Sequence, residues 1–381
     1  MSRVTLLVSA RDPAAAFQLS AFCAHARDDA RLRLVVAAQQ PALDILREHG
    51  VEARALPFVY ARERDGAEAH ALLSLADAVL AEARPDVVLC GLSSPREGGI
   101  DEALLARRRV PAFVMQDFWG EQNDFFGRGP DAVFALDEAA ARLSLARHGT
   151  PAVVSGSPRH GEYRHIDLAA TRSRIRDRFG IAPDAAVVGL FGQHLHDRPG
   201  YRRTLDAWAQ ACLALAPGTR FVYRPHPREL PEERARTRSL LEEAGVAVAS
   251  LEAESTEEAL VACDAACTVF SNCAYDAAYL NYFSASPLVS PMMLLFDPEM
   301  AAFYSAIARF EDLPYFSQGL AIAVRDPAAL PAALGEAIGE AGRAGTWRAA
   351  RRSLPDPSLA ASRMADALLE AAAGRGPALN P

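Results

Sequence analysis

Short, continuous apolar runs alternate with longer amphipathic segments along this chain, and the alternation is run through twice. In the first pass, residues 4–8, 32–37, 86–90, 112–115, 132–135 and 152–155 read as strands. Helical spacing covers residues 14–26, 67–82, 100–108 and 138–148. A basic helix over 169–179 opens the second pass, with strands at 186–191, 221–223, 265–270 and 320–323. Helices are expected at 202–214, 232–244, 275–281 and 328–341, and a last one over 359–373. Strands that are apolar throughout and separated by helices belong to a parallel sheet covered on both faces. The expectation is an α/β chain of two similar halves, joined near residues 157–182, with no sequence repeat between them.

Composition narrows the function classes. The 381 residues are 50% hydrophobic, which excludes a disordered chain and allows two or three domains. Acidic residues outnumber basic ones by 48 to 40, giving a net charge of −8 and no basic footprint for nucleic acid. No apolar run approaches the roughly 18 to 20 residues of a membrane span. The first dozen residues read as a strand rather than a signal peptide. Six cysteines in a chain of this length do not form a disulfide scaffold, so a cytoplasmic protein is expected. Cys263, Cys267 and Cys273 fit neither a zinc nor a redox spacing and read as small buried residues. Arginine clusters at 172–178, 202–203 and 348–352 either meet anionic headgroups of an inner membrane or form solvated helix faces. The second reading is preferred.

In open α/β sheets, ligands gather at the carboxyl ends of the strands. After the first strand stand Arg11 and Asp12, the latter either a helix-start residue or a base in a cleft. The loop after residues 86–90 offers Ser93, Ser94, Arg96 and Glu97 between glycines, suited to an acceptor or to capping the next helix. Asp117, Trp119 and Glu121 open an aromatic, acid- and amide-rich stretch. It reads either as a sugar-binding surface or as a packed corner. The second half offers Gly192, Gln193 and His194, with His196 close behind, where glycine permits close backbone approach. Arg224, His226 and Arg228, with prolines 225 and 227 fixing the backbone, place up to three donors near one point, as a nucleotide phosphate requires. Ser271 and Asn272 precede a helix start, a natural anion site, with Asp276 one turn inside it either on a ribose or as a cap.

Several signatures are missing. There is no Asp-x-Asp, no Gly-x-Gly-x-x-Gly after the first strand, no P-loop and no Gly-x-Ser-x-Gly. No metal and no cofactor are therefore expected.

Arg224-Pro225-His226-Pro227 resembles the His-Pro motif of bacterial sialyltransferases, Kdo transferases and CDP-glycerol glycerophosphotransferases. The stretch from Phe270 to Asp276 resembles their serine-rich phosphate motif, with Asn272 where a second hydroxyl is common. With the two halves, the whole chain resembles a GT-B glycosyltransferase. That resemblance implies two Rossmann-like domains facing a cleft. Residues 1–160 would be the acceptor domain, 161–350 the nucleotide-donor domain, and 351–381 a helix crossing back to the first. It implies that His226 and Ser271 hold the donor phosphate, with Gly192, Gln193, His194, Arg224, Pro227, Arg228, Asn272 and Asp276 around it. Arg11, Ser93, Ser94, Trp119 and Glu121 would meet the acceptor. The acidic motif of sialyltransferases is absent, so Asp12 and Asp117 are base candidates by position alone. The implied activity is metal-independent, inverting transfer from a nucleotide sugar, of the CMP-activated nonulosonic acid or Kdo type, to a glycan, lipid-linked or protein acceptor. The alternatives are a UDP- or GDP-sugar transferase, a UDP-GlcNAc 2-epimerase, whose Ser-Gly-Gly-x-x-Glu-Glu-like loop is absent here, and a non-catalytic nucleotide-sugar binder. Oligomeric state is left open by the sequence.

Overall fold

The computed structural model describes residues 3–94, 97–308 and 314–375. The chain divides into two compact units, one of residues 1–162 with 355–381, the other of residues 163–354.

The first unit holds a seven-stranded parallel sheet built from β1 (Val4–Ala10), β2 (Leu32–Ala38), β3 (Arg54–Ala55), β4 (Val87–Gly91), β5 (Ala112–Met115), β6 (Ala132–Ala135) and β7 (Ala152–Val154). Their order is β3-β2-β1-β4-β5-β6-β7. Register is fixed by pairs such as Leu7 with Val35 and Leu7 with Val88. The central strands are buried on both faces, which is why they read as unbroken apolar runs rather than alternating ones. Helix Pro13–Asp28 starts on a proline, whose missing N–H costs nothing in a first turn. It packs against the sheet and against the terminal helix Ala360–Ala372. That terminal helix buries Met364 and Leu368 completely.

The second unit repeats the plan with β8 (Val187–Phe191), β9 (Arg220–Arg224), β10 (Val248–Ser250), β11 (Ala265–Thr268), β12 (Ser290–Leu294) and β13 (Ile322–Val324). All pairs are parallel in the order β10-β9-β8-β11-β12-β13. Its core gathers Trp208, Tyr201, Leu205, Leu241, Met292 and Leu294. Both sheets therefore reverse their winding beside the first strand of the unit, between β1 and β4 and between β8 and β11. A doubly wound sheet opens a crevice for ligands at that point.

The arginines of residues 172–178 are structural. Arg172 and Arg176 pair with the buried Asp264 at 2.6 and 2.8 Å, Arg174 with Glu258, and Arg178 with Glu254. Asp264 also takes Arg343 at 3.0 Å and the Val187 N–H. Among the described residues no helix is long and apolar enough to cross a membrane. All six cysteines are buried and unbridged.

Candidate functional site

In the second unit, one side chain spans the crevice between β8 and β11. The Gln193 Oε1 accepts from the Phe270 N–H at 2.8 Å and from the Thr268 hydroxyl at 3.3 Å. Gln193 is thus a strut within the site, not a group turned to solvent. Beside it, the Glu229 carboxylate is 2% exposed. It accepts from the Tyr223 hydroxyl at 2.5 Å and from the His226 N–H at 3.1 Å. A Cβ on Gly192 would collide with that carboxylate and with the Tyr223 ring. The close approach that Gly192 permits is to the protein's own glutamate. Sequence reasoning passed over Glu229. Its signal was the three-residue step from His226, the distance at which a carboxylate reaches back to a turn's N–H.

Around that frame stand the cationic groups. His226 accepts the Arg228 N–H on its Nδ1 at 3.1 Å, which leaves the ring proton on Nε2. Burial, with Arg228, His194 and Arg224 nearby, holds its pKa below the ordinary histidine value. His226 is therefore a neutral donor at pH 7, its Nε2–H available to an oxyanion. Arg224 is half-buried and donates to the Glu254 carbonyl at 3.2–3.3 Å. Its charge acts on Cys273 and Asp276, which places it beside the start of helix Cys273–Phe283. There the Ser271 hydroxyl accepts the Cys273 N–H at 3.3 Å and keeps its own proton to donate. Asn272 is exposed, whereas Asp276 is 5% exposed and faces inward. His194 is exposed and paired with Glu233 at 3.2 Å, and Pro227 and Arg228 are exposed.

In the first unit, Asp12 bridges the crevice between β1 and β4. It stands at the N-cap position of helix Pro13–Asp28 without capping it. Its Oδ2 instead accepts the Ser94 N–H at 2.9 Å. Asp117, at the end of β5, lies close enough to feel that charge. Burial first, and Asp12 second, push the Asp117 carboxyl up to about 7. The two base candidates thus form an interacting pair.

The acceptor residues expected from sequence fare differently. Trp119 is fully buried and donates its Nε1–H to Asp137 at 2.9 Å, so it belongs to the packed corner rather than to a sugar surface. Arg11 is 1% exposed and spends its guanidinium on Glu102 and on the Ser94 and Glu97 carbonyls. Ser93 donates to Glu102, and Glu121 is mostly enclosed and faces Arg147 at 3.4 Å. Each is held inside by a polar partner, and of the five only Ser94 is exposed. Arg96 and Pro95 lie outside the described residues. Ser94 and Glu97 are held by Arg11 and by Asn123, whose Nδ2 donates to their carbonyls at 2.7 and 2.9 Å. Glu102 closes the helix start by accepting the Gly99 N–H at 2.7 Å. Next to it, Asp101 is fully buried with the Ser9 hydroxyl beside its carboxylate, and burial first and the Glu102 charge second raise its pKa to about 8.

No protein-family model and no curated protein matches the chain. Solved structures do. The UDP-bound MnaA of S. aureus aligns over 96% of both chains with a TM-score of 0.67 at 14% identity. A UDP-GlcNAc 2-epimerase from Neisseria meningitidis bound to UDP-GlcNAc aligns over 96% of this chain and 100% of its own, with a TM-score of 0.62 at 14% identity. A glycosyltransferase from Rickettsia africae aligns over 98% and 99%, with a TM-score of 0.64 at 9% identity. Likeness at such identities concerns the backbone. The two parallel sheets, each wound in the Rossmann order, give this chain the GT-B architecture.

Proposed function

We propose that the chain is a glycosyltransferase that uses a nucleotide-sugar donor. The observation that carries this reading is the convergence of Arg224, His226 and the Ser271 helix start at the crevice of the second sheet. These groups donate to an anion without a bridging metal, as a departing nucleotide phosphate demands. The resemblance of residues 224–227 and 270–276 to the cytidine-nucleotide families supports a CMP-activated sugar of the nonulosonic acid or Kdo type.

In the first unit the base candidates remain Asp12 and Asp117, and the electrostatics favour Asp117. A carboxylate whose pKa lies near 7 accepts a hydroxyl proton at neutral pH more effectively than an ordinary one. An acceptor hydroxyl gives its proton to a carboxylate base, and its oxygen forms the new bond to the sugar. The sugar–phosphate bond breaks, and its electron pair leaves on the nucleotide phosphate held by His226 and Arg224. Asp12 raises the Asp117 pKa and holds the Ser94 loop.

A second reading, a UDP-GlcNAc 2-epimerase, is favoured by one specific observation. Structures described as such enzymes, one of them bound to UDP-GlcNAc, share the fold over nearly the whole chain. Thermal-shift measurements with CMP, CDP, UDP and GDP separate donor classes, because a ligand that binds the native state raises its melting point. A CMP or CDP response supports the first reading. A response to UDP alone removes the cytidine assignment. Conversion of UDP-GlcNAc at C2 without any acceptor, followed by proton NMR, would replace transfer with epimerisation.

A further inference from the structure

A cavity of about 570 Å³ opens between helices Pro199–Leu213 and Pro231–Glu243 of the second unit. Its size falls in the range of small-molecule sites. Tyr201 and Leu205, 1% and 2% exposed, belong to its apolar lining. Three guanidiniums, Arg198, Arg202 and Arg236, line it as well. Among the described residues Arg236 has no ion pair or hydrogen bond. Arg198 lies over the Phe303 ring at 3.5 Å rather than against a carboxylate. Among the described residues Arg202 pairs with Asp206 alone, at 3.9 Å with both side chains exposed, a pair of little worth in water. Two carboxylates, Asp197 and Glu243, also face the cavity.

Uncommitted guanidiniums match phosphate oxygens, often in pairs. Carboxylates beside them accept hydroxyl protons, and an apolar wall receives the face of a ring. The geometry points to a second ligand site here, for a phosphorylated sugar, distinct from the crevice at His226. The two sites share a wall. His196 lines the cavity, and its Nε2 is 3.8 Å from the Glu229 carboxylate that holds the His226 N–H.

Isothermal titration of the full chain with glucose 1-phosphate, without nucleotide, tests the assignment. Wild type should show saturable binding. Arg202 and Arg236 are exposed, so their removal leaves the core intact, and an Arg202→Ala/Arg236→Ala variant should bind at least tenfold more weakly. His226→Ala should bind within about twofold of wild type, whichever nucleotide the donor crevice takes. Absence of saturable binding, or an unchanged affinity in the double variant, overturns the site. Loss of binding in His226→Ala would place the ligand in the donor crevice instead. Inorganic phosphate binding as tightly as glucose 1-phosphate would overturn the sugar component.

Discussion

The interaction between Asp12 and Asp117 makes a demanding prediction. Asp117 is carried from the ordinary 3.8 up to about 7 by burial and, second to that, by the Asp12 charge. At about 1.36 kcal/mol per pH unit, this is roughly 4 kcal/mol of differential interaction between its two protonation states. Asp12→Asn removes the charge and keeps an oxygen for the Ser94 N–H, so the loop geometry survives. Burial remains the larger cause. Asp117 should therefore titrate about one pH unit lower in the variant, yet still well above an ordinary aspartate. Carboxyl-selective ¹³C NMR reads this directly, with no substrate required. Where turnover is measured, the acid limb of the pH–rate profile should move with it, since a base works only when deprotonated. An unchanged Asp117 midpoint in Asp12→Asn, or a wild-type midpoint near 4, would refute the pairing.

Three further outcomes are expected. His226→Ala should keep the wild-type circular dichroism spectrum and lose about 10²–10³ in turnover, the usual cost of one donor to a developing oxyanion. Gly192→Ala forces its Cβ into Glu229 and Tyr223, so nucleotide affinity should fall although no ligand contact is removed. Calorimetric titration of the same nucleotide against both proteins checks it. For Asp101, the folded-state pKa of about 8 lies above the unfolded 3.8, so ionisation is resisted by the fold. Stability is then lost as pH rises from about 4 to about 8. The melting-point advantage of Asp101→Asn over wild type should be small near pH 4 and grow through that window. A difference independent of pH would show that Asp101 is not the strained group.

The double α/β plan was legible because buried parallel strands carry a continuous apolar signal. The runs at 112–115 and 132–135 are the observed β5 and β6. β12 escaped notice because Pro291 interrupts it, and proline in a central strand argues against such a strand. β3 and β10, two and three residues long, are too short to carry a period. At the site, strand ends told which residues gather but not which way each side chain turns. Asp12 and Asp117 do interact, whereas Trp119 turned inward because its indole N–H found Asp137. Glu229 and Gln193 were opaque as supports. Their work is to tie together loops distant along the chain, and a linear string does not display that.

The same inward turn of Trp119 has a spectroscopic consequence. Tryptophan occurs at positions 119, 208 and 347 only, one in the first unit and two in the second. Trp119 is bonded to the Asp137 oxygen Oδ2, while Oδ1 of the same carboxylate caps helix Glu138–His148. Replacing Trp208 and Trp347 with phenylalanine would leave one fluorophore, seated on a helix cap of the first half. Its emission, set beside a backbone signal for the whole chain, would tell whether the halves melt as one cooperative body or in sequence.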